Sequence, residues 1–387
     1  MVYNFDELPD RKHSESIKWH FFDEDVLPMW VADMDFVSPE PVVRALQDRV
    51  AEGIFGYPGE LPGLREVIVE RLAQRYAWKV SPEDLVFMPG VVTGFNMAAR
   101  ALVQPGEGVL IQTPVYMPFL KTADLAHGIQ QQAPLTYLPD GSYSIDWDVF
   151  EAAITDQTRM FLMCNPHNPV GRVFTRPELE RMAEICLRHN VIICSDEIHC
   201  DLVYSGYRHH PIAALGPEVE KQTITLMAPS KTFNIAGLEC SFAVITDPEL
   251  RRRFVQGGEG LVHGVNLLGL VAAKAAYQDG QEWYEQVMAY LEGNRNLVYQ
   301  FVNEQLPGVK MACPEATYLA WLDCREAGIE GKACEFFIKN ARVGMNEGEA
   351  FGQGGEGFVR LNFGCPRSML LEALQRMKRA LENRQTS

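Results

Sequence analysis

The chain has 387 residues, enough for a large core and a division into two units, because single cores stop growing near roughly 250 to 300 residues. Its 35 basic and 51 acidic residues leave a net charge of −16, which repels phosphate backbones and anionic lipid surfaces and argues against nucleic-acid binding. No uncharged apolar run reaches the roughly 18 residues that span a bilayer, and the opening MVYNFDELPDRKH has no basic stretch followed by an apolar one, so the expectation is a cytoplasmic protein with no membrane partner. In chain order, the first 45 residues carry Pro28, Pro39 and Pro41 around the apolar run WVADMDF. They are expected to pack against the C-terminal unit and a cleft rather than to open a sheet.

From about residue 84 to 246 short apolar runs alternate with helix-like segments. The runs are Leu85 to Met88, Val109 to Gln112, Met160 to Cys164, Val191 to Ser195, Ile224 to Met227 and Ser241 to Ile245. Near-continuous hydrophobicity suits strands covered on both faces, so the pattern predicts an α/β unit built on a mainly parallel sheet. Arg176 to Asn190 reads as one covering helix. Residues 264–305 read as long helical sequence, and Tyr318 to Asp323 and Phe358 to Phe363 as strands of a smaller α+β unit. The expected division is a large α/β domain over 46–284 and a small α+β domain made of 1–45, with its N-terminal arm, and 285–387.

Nine cysteines without a Cys-x-x-Cys pair read as buried thiols, not a disulfide framework or zinc site. The run Asp196, Glu197, His199, Cys200, Asp201 is rich in ligand types, but neighbours on one short segment point in different directions, and no metal is expected. Gly352 to Gly357 formally fits G-x-G-x-x-G, yet it follows no strand and precedes one, and reads as a mobile loop near the cleft. His209 and His210 read as ordinary loop residues.

In open α/β sheets ligands sit beyond the carboxyl ends of strands, where this chain places Asn165, Asn168, Asp196, Ser230 and Lys231. Lys231, in MAPSKTFNIAGL, can form a Schiff base if desolvation lowers its pKa from the reference of about 10.4; taken alone, a solvated surface lysine is the commoner reading. Asp196 suits an anionic partner for a protonated pyridine nitrogen, or a helix N-cap. Pro89 to Gly94 joins a strand to a helix, a place where backbone N–H groups bind phosphate and where any tight turn also favours glycine.

Taken in order, Gly-Val-Val-Thr, NPHNPVG, SDEIH and SKTFN resemble the signature runs of fold-type I pyridoxal-5'-phosphate (PLP) enzymes. From WVADMDF to FVRLNFGCPR, nearly the whole chain is similar to the MalY/PatB-type cystathionine beta-lyases and cystalysin-like C-S lyases. The resemblance implies an aspartate-aminotransferase-like fold in which Lys231 carries the cofactor, Asp196 pairs with the pyridine nitrogen and Asn168 bonds the phenolic oxygen. It further implies that Tyr116 stacks on the ring, that His199 stands beside the cofactor where aminotransferases often carry tyrosine, and that Val92, Thr93 and Ser230 bind the phosphate. Tyr57 of GYPG would reach the phosphate of a neighbouring subunit, which makes a homodimer. Arg360 matches the clamp for the substrate α-carboxylate, with Asn168 beside it; its bland alternative is a salt bridge on a strand. Glu239 departs from the pattern, since many relatives place a phosphate-binding arginine there.

The activity so implied is cleavage of L-cystathionine or cysteine S-conjugates to thiol, pyruvate and ammonia. An L-amino-acid aminotransferase is the alternative, because the same residues serve both courses, and a regulatory protein on the same fold is a third.

Overall fold

Seven strands in sequence order form the central sheet: β1 Leu85–Met88, β2 Gly108–Ile111, β3 Ile129–Gln132, β4 Thr158–Cys164, β5 Ile192–Asp196, β6 Thr223–Met227 and β7 Ser241–Val244. The computed structural model describes residues 1–385. The spatial order is β1-β7-β6-β5-β4-β2-β3, with β7 antiparallel to both its neighbours and every other pair parallel. Six of these strands match the apolar runs. The edge strand β3, with sequence IQQQ and mostly exposed, has no hydrophobic signature and escapes a pattern-based reading.

Both faces of the sheet are covered, which is why its strands other than β3 are largely apolar. Along β4, Met160, Leu162 and Cys164 pack into the core on one face while Phe161 and Met163 pack into the core on the other. Helix α1, Val91–Leu102, lies on the first face through Phe95, Ala98 and Ala99. A β-carbon at Gly94 would sit 2.6 Å from Met88 Sδ and 3.0 Å from Leu226 Cδ2, so glycine lets this helix approach the sheet closely. Helix α2, Arg176–Arg188, covers the other face with Leu179 and Met182, and begins with a capping box between Thr175 and Glu178.

The segment expected to be long and helical divides at Gly280 into α3 Leu267–Asp279 and α4 Gln281–Gln305. Strands β8 Leu319–Asp323, β9 Asn346–Glu347 and β10 Phe358–Asn362 make a small antiparallel sheet in the order β8-β10-β9, followed by helix α5 Arg367–Gln385. The N-terminal arm belongs to this unit: Leu27–Pro28 pairs in parallel with Val343–Gly344, and Met29, Met34 and Phe36 share a core with Val298, Leu361, Phe363 and Leu374. Positions 45 and 284 fall inside the helices Glu40–Ala51 and Gln281–Gln305, so chain continuity across the two units is helical. All nine cysteines are free thiols, eight of them buried. Among the described residues no helix is long and apolar enough to cross a membrane.

Candidate active site

The parallel register brings the carboxyl ends of β4 and β5 together, with Cys164 opposite Asp196. Beyond them lies a cavity of about 620 Å³. Val92, Thr93, Tyr116, Asn168, Asp196, His199, Ser230, Lys231 and Arg360 all line it, so one space collects residues scattered over 268 positions of chain from Val92 to Arg360. A larger cleft of about 770 Å³ runs along Tyr57 to Arg65 and His263 to Asn266. It holds none of the buried titratable groups described below, and the chemistry is assigned to the smaller cavity.

Lys231 stands on the β6–β7 connection, whose Phe233 and Ile235 are anchored in the small-unit core. Its Nζ donates to Ala32 O at 2.7 Å, and the Tyr318 hydroxyl donates to the same carbonyl at 3.0 Å. Burial lowers the amine to about 8; the Arg360 charge adds to this, and Asp33 and Asp196 oppose it. A substantial neutral fraction is therefore present near neutrality, as a nucleophilic amine requires.

Asp196 is buried at the end of β5 and accepts a hydrogen bond from Ile198 N at 3.1 Å. Burial above all, with neighbouring Glu197, pushes its carboxyl up to about 7 against the opposing Ile198 N–H bond and the Lys231 charge. Among the described residues it has no hydrogen-bonded cation, its accepted bond coming from Ile198 N, so a cationic group entering the cavity would find a carboxyl prepared for it. His199 is buried with Nδ1 unpartnered, and burial together with Lys231 and Arg360 lowers it to about 3, so the ring is neutral.

Arg360 lies on β10, 2% exposed. Nη1 donates to Asn168 Oδ1 at 2.9 Å, and Nη2 donates to Trp30 O at 3.0 Å and Asn346 Oδ1 at 2.7 Å. Its Nε is buried without a partner and, among the described residues, no carboxylate pairs with it, which removes the salt-bridge reading and leaves a cation facing the cavity. Because Asn168 gives its oxygen to Arg360, its NH2 is the side left to donate.

At the other end of the cavity, α1 begins without a side-chain cap, so the first-turn N–H groups at Val91, Val92 and Thr93 point outward, with Ser230 lining the same space. Glu239 also lines it, on the connection that carries Lys231, and adds no positive charge. Tyr57 is fully exposed and absent from the lining of this cavity, so a single subunit does not bring it to the site.

The fit to PLP follows from these observations: an amine for its aldehyde, an unpaired carboxylate for its pyridinium, an amide donor for its phenolic oxygen and an uncapped helix start for its phosphate. The family model for aminotransferase class I and II matches residues 24–377. The chain belongs to this family. Across 98% of its length it is 40% identical to the whole of cystathionine beta-lyase PatB of Bacillus subtilis (strain 168). A crystal structure of cystalysin from Treponema denticola, which contains pyridoxal 5'-phosphate, superposes with a TM-score of 0.95 at 32% identity over 99% of this chain and 100% of that one. A crystal structure of OvoB superposes with a TM-score of 0.94 at 45% identity, covering 98% of this chain and 99% of that one.

Two sequence readings change in this family member. His209 is no ordinary loop residue: it is buried and pairs with Glu197 at 2.7 Å, behind Asp196. Residues 352–357 are a tight turn instead of a mobile loop, since a β-carbon at Gly355 would lie 2.0 Å from Gly348 O, and Val115 N donates to Phe351 O at 2.9 Å. The Asp196 to Asp201 run disperses, with Glu197 turned to His209 and Asp201 ion-paired with Arg71 and Arg75. Sequence reasoning missed Ala32, Tyr318 and Asn346, because a backbone acceptor and two neutral side chains leave no motif.

Proposed function

We propose that this protein is a PLP-dependent carbon–sulfur β-lyase that converts L-cystathionine or another cysteine S-conjugate, with one water, to a thiol, pyruvate and ammonia. The observation that carries the reading is the convergence of Lys231, Asp196 and Arg360 on one cavity, in a chain 40% identical from end to end to a cystathionine beta-lyase. When bound, PLP supplies an aldehyde that links to amines and a cationic ring that draws electron density from the substrate Cα.

The chain's own residues then divide the work. Arg360 holds the α-carboxylate through its unpaired Nε face, and Asn168 and Asn346 keep the guanidinium in place. Lys231 would hold the cofactor's aldehyde, and once free its Nζ would take the Cα proton as general base and return it to the departing sulfur. Asp196 keeps the proton on the pyridine nitrogen, and neutral His199 adds no competing charge. Tyr116 covers the ring, while Val92, Thr93 and Ser230 hold the phosphate. We further propose a homodimer in which fully exposed Tyr57, beside exposed Ile54 and Phe55, completes the partner's phosphate site. The division into 46–284 and 1–45 with 285–387 is retained as a proposal, supported by the shared core of the arm and the C-terminal unit.

The test mixes holoenzyme with L-cystathionine and no 2-oxo acid. Sustained release of pyruvate and thiol is expected. A single stoichiometric bleaching of the visible band, reversed by adding a 2-oxo acid, would instead make the protein an aminotransferase.

Arg360→Lys keeps the charge but loses the planar fork, and is expected to raise KM for amino-acid substrates about 10- to 100-fold, with a smaller change in kcat. Steady-state kinetics with two different amino acids check this, since an unchanged KM for both removes Arg360 as the clamp.

A further inference from the structure

Residues 29–36 of the arm form neither helix nor strand, so no regular ladder takes up their backbone polar groups. Side chains from other elements do so instead. Each of the five carbonyls from Trp30 to Met34 accepts a side-chain hydrogen bond: Trp30 O from Arg360, Val31 O and Asp33 O from Asn362, Ala32 O from Lys231 and Tyr318, and Met34 O from Asn234. An irregular segment gripped at every successive carbonyl has lost the torsional freedom that such segments usually keep. Trp30, Val31 and Ala32 of this segment line the cavity.

Ala32 sits at the centre of the arrangement. A carbonyl oxygen has two lone pairs, and both are used here, by Lys231 Nζ at 2.7 Å and by the Tyr318 hydroxyl at 3.0 Å. The peptide groups on either side are fixed by a single amide. Asn362 Nδ2 donates to Val31 O at 2.6 Å and to Asp33 O at 2.7 Å, while its Oδ1 accepts from Gly364 N at 2.7 Å. Tyr318 and Asn362 are both buried. A β-carbon at Gly364 would lie 2.9 Å from Met34 Cγ, 3.1 Å from Asn362 Oδ1 and 3.2 Å from Tyr318 Cδ2, so this glycine is what lets the arm and the two side chains meet.

A neutral amine carries one lone pair, whose direction follows from where its N–H groups point. We propose that Tyr318 and Asn362 are positioning residues for the general base: by immobilising the Ala32 carbonyl they give the freed Lys231 amine a fixed acceptor, so that its lone pair keeps the one direction in which the Cα proton is taken. The inference rests on Lys231 as the base and does not depend on which group leaves the β-carbon. The same segment meets the carboxylate clamp through Trp30 O and the base through Ala32 O, two residues and at most roughly 7 Å of chain apart. One rigid piece of backbone thus sets the spacing between the bound carboxylate and the nitrogen that receives the proton.

The experiment follows exchange of the L-alanine Cα proton with solvent deuterium by proton nuclear magnetic resonance, using holoenzyme; L-alanine has no group to expel, so the readout reports the base alone. Tyr318→Phe is expected to slow exchange at saturating L-alanine about tenfold, and Asn362→Ala about tenfold or more, with the half-saturating concentration changed by less than about twofold. A residue that merely fastened the arm to the core would not move the exchange rate at saturation. Tyr318→Phe removes one oxygen atom and keeps the buried ring, so it decides the matter if Asn362→Ala does not fold. Wild-type exchange in Tyr318→Phe overturns the proposal, as does a change confined to half-saturation, which would make the segment a substrate-binding element. If Lys231→Ala exchanges the proton as fast as wild type, the base reading itself falls and this inference with it.

Discussion

Lys231→Ala is expected to lower turnover of L-cystathionine at least about 1,000-fold and to remove the visible absorbance of lysine-bound cofactor, with the far-ultraviolet circular dichroism unchanged. The size follows from the loss of two roles at once, attachment of the cofactor and transfer of the Cα proton. The fold is expected to survive because Lys231 hydrogen-bonds only to a carbonyl of the N-terminal arm, Ala32 O, and its burial lowers the amine instead of stabilising its charge. Removing such a group relieves a desolvation cost, so the cofactor-free variant should be no less stable to urea than cofactor-free wild type. Wild-type protein carries a pH signature of the same residue. Capture of added PLP requires the neutral amine, so its rate should climb about tenfold per pH unit and level off above about 8, not near the 10.5 of an ordinary lysine. Stopped-flow absorbance reads this directly, and a rate still climbing at pH 9.5 would place the lysine in water.

Asp196→Asn is expected to reduce kcat about 100- to 1,000-fold and to weaken PLP binding, because asparagine cannot hold a proton on the pyridine nitrogen. The companion effect on stability has a definite sign. In the cofactor-free protein the carboxyl titrates at about 7 while its unfolded value is 3.8, so between these limits the native state binds the proton more strongly. Stability from this group is complete below the unfolded value and is lost as pH rises through 7, by an amount on the order of 4 kcal/mol. Cofactor-free Asp196→Asn should lack that decline, and urea melts at pH 5 and pH 8 compare the two. With PLP bound the sign reverses, since the pyridinium stabilises the ionised carboxylate in wild type alone. If wild type and Asp196→Asn change cofactor-free stability by the same amount between pH 5 and pH 8, Asp196 is already ionised and paired with another cation.

The two predictions differ in how each residue came to light. Asp196 ends the apolar strand β5 and Lys231 lies in the connection that follows β6, so a pattern of burial already places them at the carboxyl ends of strands. Arg360 is different: its position in FVRLNF says strand, and a strand arginine is as often a salt-bridge partner as a ligand clamp. Only the contacts decide, through three neutral acceptors, an unpartnered Nε and the absence of a facing carboxylate among the described residues. His209 was misread for a related reason, since nothing local tells a loop histidine that its ring will meet Glu197 in the interior.

By itself the sequence determined the alternation of buried strands and helices and the polar residues that meet in one cavity, because burial imposes hydrophobic periodicity and ligand chemistry imposes residue types at strand ends. Tertiary structure alone decided the edge strand β3, whose pairing needs no apolar signature, and the packed turn at 352–357, whose glycines answer a backbone approach from Gly348. It also decided that the arm brings Ala32 to Lys231 and Trp30 to Arg360, from 199 and 330 residues away. Contacts over such separations depend on how two units close on each other, and no local pattern of residues encodes that closure.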